Sequence, residues 1–409
     1  MGLRERINEI KIIDEHVHAF DLFYWIDTVG SYPFAFLLDI FPPRPNPLTT
    51  IPTKKMLMDV YREFYGFPHS ELTPENEKEL DELKEKSKKD EVKLYQKAME
   101  MAGIEANIEM CLSKPELPPE LDSKHFKKAS LVDGFMLPLD NAGLKDSLSP
   151  QGGQFLTMCE ALPKRVKGKS ALTFEEYLNL ISSTLANLQQ KENVIALKMN
   201  FAYWRDIAVD AVEEDEARAI YKAKDTSPAR YKRLQDFLLR HIIRSAGELD
   251  LPIQIHMGAT GIAHAAIESD PFRLDPFLWL PDVKNTRIVI LHGAYPFCHQ
   301  AGFMAGRLPG SPRLFVDTSL IPSPKILSEV LREWIEMGIE WGMNGIIGKI
   351  MYSSDGVEPY MWLSAALNAR QALYMTFKGM IDEGMIDEDQ AVMMAKMILH
   401  DNAKNFYNL

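Results

Sequence analysis

The chain has 409 residues, and its 46% hydrophobic and 25% charged content is typical of a soluble globular protein. Its formal net charge is −12, with 58 acidic against 46 basic residues. This balance argues against nucleic-acid and anionic-membrane partners, because lysine and arginine dominate binding to both. The three cysteines form no CxxC pair and predict no disulfide framework, which fits a reducing compartment. The amino-terminal residues lack the apolar run of a signal peptide, so we expect a cytoplasmic protein.

Short apolar, β-branched runs alternate with helical patterns along the chain, as in proteins built from βα units around a parallel sheet. Eight strands are predicted, at residues 11–17, 104–112, 130–139, 193–201, 251–258, 286–293, 312–319 and 348–355. Eight such strands in one chain predict an α/β fold, a (β/α)8 TIM barrel, as a single domain over residues 1–409.

The first crossover of this barrel is unusually long. Residues 20–101 between the first two strands predict an insertion or lid subdomain, with an aromatic, proline-rich part followed by one charged helix at residues 73–101. The aromatic part, which begins at Phe20, could wall a pocket for an apolar or aromatic substrate. An ordinary core role for its rings is the alternative.

The first strand carries two histidines, His16 and His18, in the stretch IIDEHVHAF. Positions i and i+2 of a strand face the same side, so both imidazoles are predicted to project together. At the carboxyl end of a barrel strand that side is the mouth, where active sites of this fold lie. The pair alone is a weak signal, since two polar residues at a strand end can simply meet water.

Four further polar residues occupy the ends of other predicted strands. They are Lys198, His256, His292 and Asp355. A single residue of this kind is usually a satisfied polar side chain, but the repetition over separate strands is hard to explain in that way. Imidazole nitrogens and a carboxylate are ligands that Zn²⁺, Mn²⁺ and Fe²⁺ accept. The sequence therefore predicts a metal site at the barrel mouth.

These residues, together with ALKMNFAYWR, LHGAYPF, YSSDGVEPYMWLSAALNAR and ILHDNAKNFYNL, resemble the amidohydrolase superfamily. The similarity extends to its amidohydrolase-2 branch, which includes relatives of aminocarboxymuconate-semialdehyde decarboxylase and domains fused to glutamine-synthetase-like proteins. It covers the first strand and residues 193–409, and it is faint over residues 20–171.

The resemblance implies that His16, His18, His256 and Asp355 approach one ion, with Zn²⁺ expected and Mn²⁺ or Fe²⁺ as alternatives. In the binuclear form of the family a carboxylated lysine, here Lys198, bridges two ions, and the histidine at the position of His292 binds the second. In the mononuclear form that histidine serves acid–base catalysis. A lysine paired with Asp14 or Asp355 is the plain alternative for Lys198.

The implied chemistry is a metal-activated water, with Asp355 as the acceptor and later donor of its proton and His292 as an assisting catalytic residue. Arg205 and Tyr203 follow the fourth strand and are candidates for substrate binding, Arg205 as a clamp for a carboxylate. The alternatives are a loop salt bridge between Arg205 and Asp206 or another acid, and a packing role for Tyr203.

Three functions are consistent with these residues. The first is a metal-dependent hydrolase acting on an amide or ester bond of a small carboxylate-bearing molecule, with an aromatic substrate among the candidates. The second is a metal-dependent decarboxylase or hydratase of a small carboxylate. The third is a non-catalytic metal-binding barrel, which the His and Asp ligand types disfavour because structural zinc sites are often cysteine-rich. A small-molecule substrate and no nucleic-acid or membrane partner are expected, and a homo-oligomer is compatible with the long insertion.

Overall fold

The structure, a computed structural model, describes residues 1–18, 51–111, 124–167, 172–258, 265–307, 313–337 and 346–409. The predicted aromatic wall that begins at Phe20 lies outside the described residues. The lid role of residues 20–101 stays a prediction.

Eight parallel strands form one sheet in which each strand pairs with the next along the chain. They are β1 (Ile12–Val17), β2 (Ile104–Cys111), β3 (Phe126–Leu131), β4 (Val194–Met199), β5 (Ile253–Ile255), β6 (Arg287–Ile290), β7 (Arg313–Asp317) and β8 (Ile350–Met351). Main-chain hydrogen bonds from Glu15 N to Tyr352 O, Asp355 N to His16 O and His18 N to Gly356 O join the last strand region to the first. The sheet thus closes into the predicted (β/α)8 barrel.

Helices follow the strands and surround the barrel. They are α1 (Leu3–Glu9), α2 (Ile51–Tyr65), α3 (Glu77–Ser87), α4 (Glu91–Ala102), α5 (Ala142–Asp146), α6 (Pro150–Cys159), α7 (Ala161–Lys167), α8 (Phe174–Gln190), α9 (Glu214–Ala223), α10 (Pro228–Glu248), α11 (Asp275–Leu278), α12 (Cys298–Ala305), α13 (Pro324–Glu336), α14 (Pro359–Asp382), α15 (Glu388–Lys396) and α16 (Asn402–Tyr407). A π-helical stretch, Met397–Asp401, links α15 to α16.

Local sequence explains where several helices begin. The Ser323 hydroxyl accepts a hydrogen bond from Ile326 N at the start of α13, and Pro324 occupies the first helical position. Ser227, in the corresponding position before Pro228 of α10, makes no such bond, and its hydroxyl donates to the Asp225 carboxylate (2.6 Å).

Two sequence predictions are wrong in detail. The third strand was expected at residues 130–139 but spans Phe126–Leu131, and a 3-10 turn, Asp133–Met136, follows it. The charged helix expected at residues 73–101 is two helices, α3 and α4. Asp90 separates them because its side chain accepts a hydrogen bond from Lys93 N and caps α4.

The barrel interior is built from small and branched side chains. It holds Ile13, Ala106, Ile108, Ala129, Ala196, Val289, Leu291 and Met351, packed with Ala403, Phe406 and Tyr407 of α16. Helix α16 therefore closes one end of the barrel, whose interior is a packed core.

None of the helices in the described ranges combines the length and apolar character needed to cross a membrane.

Candidate metal centre

His16 of β1 and His18, just after the strand, meet Asp355 at the seam where the barrel closes. The His16 Nε2 and His18 Nε2 atoms lie 3.3 Å and 3.1 Å from Asp355 Oδ1. One potential ligand atom from each of the three residues lies within 4.8 Å of those of the other two. This cluster brings together three of the sequence-predicted ligands.

A β-bulge in β1 determines which of its residues face inward. Asp14 is paired with Asn107 and Val17 with Glu109, so β1 has one more residue than β2 between these pairs. Glu15 and His16 consequently both contact Gln254 of β5, although neighbouring strand residues normally point to opposite faces.

The hydrogen bonds around His16 define its tautomer. Gln254 directs its amide nitrogen to oxygens of Glu15 and Tyr407, so its Oε1 is left to accept from His16 Nδ1 (3.1 Å). The proton of His16 is then on Nδ1, and Nε2 carries a lone pair. Lys198 Nζ, 3.3 Å away, is placed to donate to that lone pair.

A second chain of hydrogen bonds fixes His292 and His256. Ser319 Oγ donates to the Asp317 carboxylate (3.0 Å) and therefore accepts from His292 Nδ1 (2.7 Å). His292 Nε2 must then accept from His256 Nδ1 (2.8 Å). His256 Nε2 keeps its lone pair, and it is buried without a hydrogen-bond partner among the described residues.

Two site residues adopt backbone conformations that are rare outside glycine. His292 has φ of 62° and Asp355 has φ of 50°. Such strain clusters at functional sites, where surrounding contacts hold it. Here the Asp317 carboxylate binds His292 N, and His16 O binds Asp355 N. Gly258, also at positive φ, is needed nearby because a Cβ would lie 2.2 Å from Ala294 O.

Burial favours the neutral form of three of the imidazoles, those of His16, His256 and His292. It holds the pKa of His16 and His256 well below their usual value and lowers the pKa of His292 to about 3. For Asp355, burial alone would raise the pKa, but the neighbouring His292, His16 and His18 hold the pKa well below its usual value. Neutral imidazoles and an ionised carboxylate are the forms that bind a cation.

Lys198 lies beneath this cluster and is 1% exposed. Burial lowers the pKa of Lys198 to about 8. Within the described residues it forms no ion pair, so the plain alternative of a lysine paired with Asp14 or Asp355 lacks a supporting contact. Asp14 instead accepts from Ser354 N (2.9 Å).

Tyr203 packs directly against a predicted ligand. Its ring centroid lies 4.1 Å from that of His256, and its other face stacks on Phe155 at 3.8 Å. The ring thus forms part of the wall beside the cluster. Its contacts are those of a packing residue, and its role in substrate binding stays a prediction.

Arg205 is buried and bonded to the protein itself. It pairs with the fully buried Asp236, and it also donates to Gln235 Oε1 (3.3 Å) and Ala208 O (3.0 Å). Asp206, considered as its partner, pairs with Arg273 (2.8 Å). These contacts support the salt-bridge alternative, and the clamp for a carboxylate remains without a supporting contact.

Replacing Arg205 by methionine is expected to lower the free energy of unfolding by about 3 kcal/mol, because breaking a buried pair leaves Asp236 uncompensated. This is the low end of the usual range, since Lys232 still contacts Asp236 (2.9 Å). Denaturant unfolding would measure the effect, with Arg218→Met as a control at a more exposed arginine. An unchanged unfolding midpoint together with a raised KM would instead support substrate binding.

Sequence reasoning missed several residues that support the site. Asp317 and Ser319 could have been found. They are polar residues at the carboxyl end of β7, and the other candidates were chosen because they are polar residues at the ends of strands. Gln254 lies two residues before His256, on the same face of β5. Nothing in the sequence marked Glu15 or Tyr407.

The donor set fits a divalent cation. The lone pair of His16 Nε2 faces the Asp355 carboxylate, an arrangement that a cation between them would satisfy. His16, His18 and Asp355 converge. His256 is not part of this three-residue cluster, but its buried Nε2 has no hydrogen-bond partner among the described residues and is free to act as a ligand. Nitrogen and carboxylate ligands of this number are typical of zinc and related ions.

Known structures share this fold over their full length. A protein assigned as a metal-dependent hydrolase from Lactobacillus casei is 18% identical, with a TM-score of 0.60, and the alignment covers 100% of this chain and 97% of that one. Uronate isomerase from Thermotoga maritima is 14% identical with a TM-score of 0.65, at 100% and 98% coverage. Glucuronate isomerase from Caulobacter crescentus is 13% identical with a TM-score of 0.61, at 99% and 93% coverage. These likenesses confirm the predicted (β/α)8 barrel fold.

Among curated proteins, Protein fluG from Emericella nidulans is 26% identical over 202 residues. The match covers 47% of this chain and 22% of that protein, so the chain spans well under half of its relative. No protein-family model matches the sequence.

Proposed function

We propose that this protein is a metal-dependent hydrolase that cleaves an amide or ester bond of a small carboxylate-bearing molecule. The observation that carries the proposal is the convergence of His16, His18 and Asp355 at the barrel mouth, where enzymes of this fold hold their active sites. The protein from Lactobacillus casei that shares this fold and is assigned as a metal-dependent hydrolase supports this choice.

The proposed cofactor is one Zn²⁺ ion held by His16, His18, His256 and Asp355. When bound, such an ion polarises a carbonyl and lowers the pKa of a coordinated water to near neutrality. A single ion is favoured because both ring nitrogens of His292 are engaged, one by Ser319 and one by His256. Mn²⁺ and Fe²⁺ are alternatives with the same ligands.

The protein's own groups would move the protons. Asp355 is ionised and close to the ligand nitrogens, so it is suited to accept a proton from the attacking water and return it to the leaving group. His292 is held by Ser319 and Asp317 in one orientation, which suits an assisting acid–base role. Tyr203, which packs against His256, would form the side of the pocket next to the reacting group.

The substrate class rests on fold relatives. Two of them are named for uronate or glucuronate, sugars that bear a carboxylate. Small carboxylates are therefore the first compounds to test, including N-acyl amino acids, aromatic carboxylate esters and uronates.

An isomerase is the second candidate, favoured by the full-length fold match to the two isomerases. The two reactions differ in where solvent atoms end up. Hydrolysis places one solvent oxygen in the product, whereas isomerisation by proton transfer places solvent hydrogen on carbon. A lyase would release a small fragment such as CO₂.

The test is to incubate the zinc-loaded protein with this panel in H₂¹⁸O and, separately, in D₂O. Hydrolysis predicts ¹⁸O in the product, dependence on zinc and recovery on adding zinc back after chelation. Deuterium on carbon without ¹⁸O would identify the isomerase, and release of CO₂ a decarboxylase. A hydratase would give ¹⁸O in one incubation and deuterium on carbon in the other, in a product that is not cleaved into two fragments. Failure of the purified protein to bind zinc, Mn²⁺ or Fe²⁺ would refute all three.

The state of Lys198 decides between one and two ions. With a free amine we expect about one ion per chain, unchanged by bicarbonate and by Lys198→Gln, because a one-ion centre has four ligands without it. Elemental analysis measures the ratio. A second ion that appears with bicarbonate and is lost in Lys198→Gln would establish the bridging carboxylate.

A further inference from the structure

Helix α16 contacts residues that hold the ligands of the proposed metal centre in place. Tyr407, near the end of the chain, donates from its hydroxyl to Glu15 Oε2 (2.6 Å) and is 5% exposed. It lies in α16, which plugs the barrel interior. Within the described part of the chain, side-chain hydrogen bonds join Tyr407 and Glu15 to each other and to Gln254, not to a predicted ligand atom.

Gln254 connects this tyrosine to the first ligand. Its Nε2 lies 3.0 Å from both Tyr407 Oη and Glu15 Oε2, and it also donates to Glu15 O. Three oxygens around one nitrogen fix which end of the amide faces them. The opposite end, Oε1, therefore faces His16 Nδ1 at 3.1 Å.

The consequence for His16 is a locked ring. An amide oxygen can only accept, so Nδ1 keeps its proton and Nε2 is the coordinating atom. If Gln254 turned over, its NH₂ group would face Nδ1, and the favoured tautomer would carry its proton on Nε2, where it blocks a cation. Supporting residues that fix a ligating histidine typically change metal affinity by about 10–100-fold.

The bulge in β1 allows this series of hydrogen bonds from Tyr407 through Glu15 and Gln254 to His16. Because Glu15 and His16 both face the barrel interior, Gln254 on β5 contacts both of them. It thereby connects a supporting residue, Glu15, to a proposed metal ligand, His16. All four side chains are buried, so water does not compete for these hydrogen bonds.

We propose that Tyr407, acting through Glu15 and Gln254, is a positioning residue that holds His16 in its metal-binding tautomer, so that α16 sets the affinity of the centre. This inference rests on the proposed metal-dependent function. It assigns a role in the active site to a helix that otherwise serves as a plug.

The test compares Tyr407→Phe with the wild-type chain by competition for Zn²⁺ against a chelator of known affinity. The expected result is an affinity lower by about 10-fold or more. Tyr177→Phe is the matched control, since it removes an equally buried hydroxyl that donates to Phe135 O (2.8 Å). We expect the zinc affinity of the control to be unchanged.

A spectroscopic readout separates positioning from stability. Long-range ¹H–¹⁵N spectra of the metal-free protein should show His16 protonated on Nδ1 in the wild type, and a mixture of tautomers in Tyr407→Phe. Gln254→Met, which lacks the accepting oxygen, should lose the Nδ1 preference as well. It serves as the second variant if Tyr407→Phe folds poorly.

The outcomes distinguish the two proposals. If the wild type binds zinc and both Tyr407→Phe and Gln254→Met keep its affinity and its tautomer, the positioning role is wrong and the metal centre stands. If the wild type binds no divalent ion, the proposed function fails and this inference fails with it.

Discussion

Replacing Asp355 by asparagine is expected to lower kcat/KM by about 10²–10⁴-fold, the usual contribution of a positioned acid–base group. Asparagine keeps an oxygen near His16 and His18 but can neither accept nor return a proton at neutral pH. The rate should be measured on the substrate found with the panel, and expressed per zinc-loaded chain.

The control is Asp382→Asn, an exposed aspartate at the end of α14 that pairs with Lys378. We expect its kcat/KM to match that of the wild type. A fully zinc-loaded Asp355→Asn protein with wild-type turnover would show that Asp355 carries no proton in the reaction.

Removing His16 or His18 is expected to lower the metal affinity more than removing a supporting residue does. Loss of a supporting residue alone costs about 10–100-fold in affinity, so His16→Ala and His18→Ala should each lose more than about 100-fold. Zinc content per chain, measured by elemental analysis after dialysis, should fall from about one to a small fraction. Turnover should fall in parallel.

His299→Ala provides the matched control, because His299 is exposed and pairs with Glu333 on the surface. Its zinc content should equal that of the wild type. Full zinc occupancy of the His16→Ala protein would place the centre elsewhere and remove the basis of the proposed function.

The barrel and the position of its site could be predicted because both depend on periodic features. Strand alternation placed His16 and His18 together, and the location of His256, His292 and Asp355 after separate strands brought them to one end. The bounds of β3 could not be read in the same way. The apolar run after it, including Phe135 and Met136, is buried as a 3-10 turn, and burial alone does not distinguish a turn from a strand.

A different physical reason prevented prediction of the contacts that support the site. The partner of Arg205 is Asp236 on α10, and a contact of that kind depends on helix packing against the barrel. Tyr407 meets Glu15 because α16 packs into the barrel, and His16 lies beside Glu15 on the inner face because of the bulge in β1. Neither event has a local pattern in the sequence.

The closure of the barrel between β8 and β1 has a thermodynamic consequence. The proposed ligands His16 and Asp355 lie on either side of this seam. The first and last strands would therefore separate only when a bound ion is released. A ligand present at about 1,000 times its Kd adds about 4 kcal/mol to the folded state. The supply of free metal would therefore govern how often the seam opens, and backbone amides beside it would exchange with solvent at a rate set by the surrounding ion concentration.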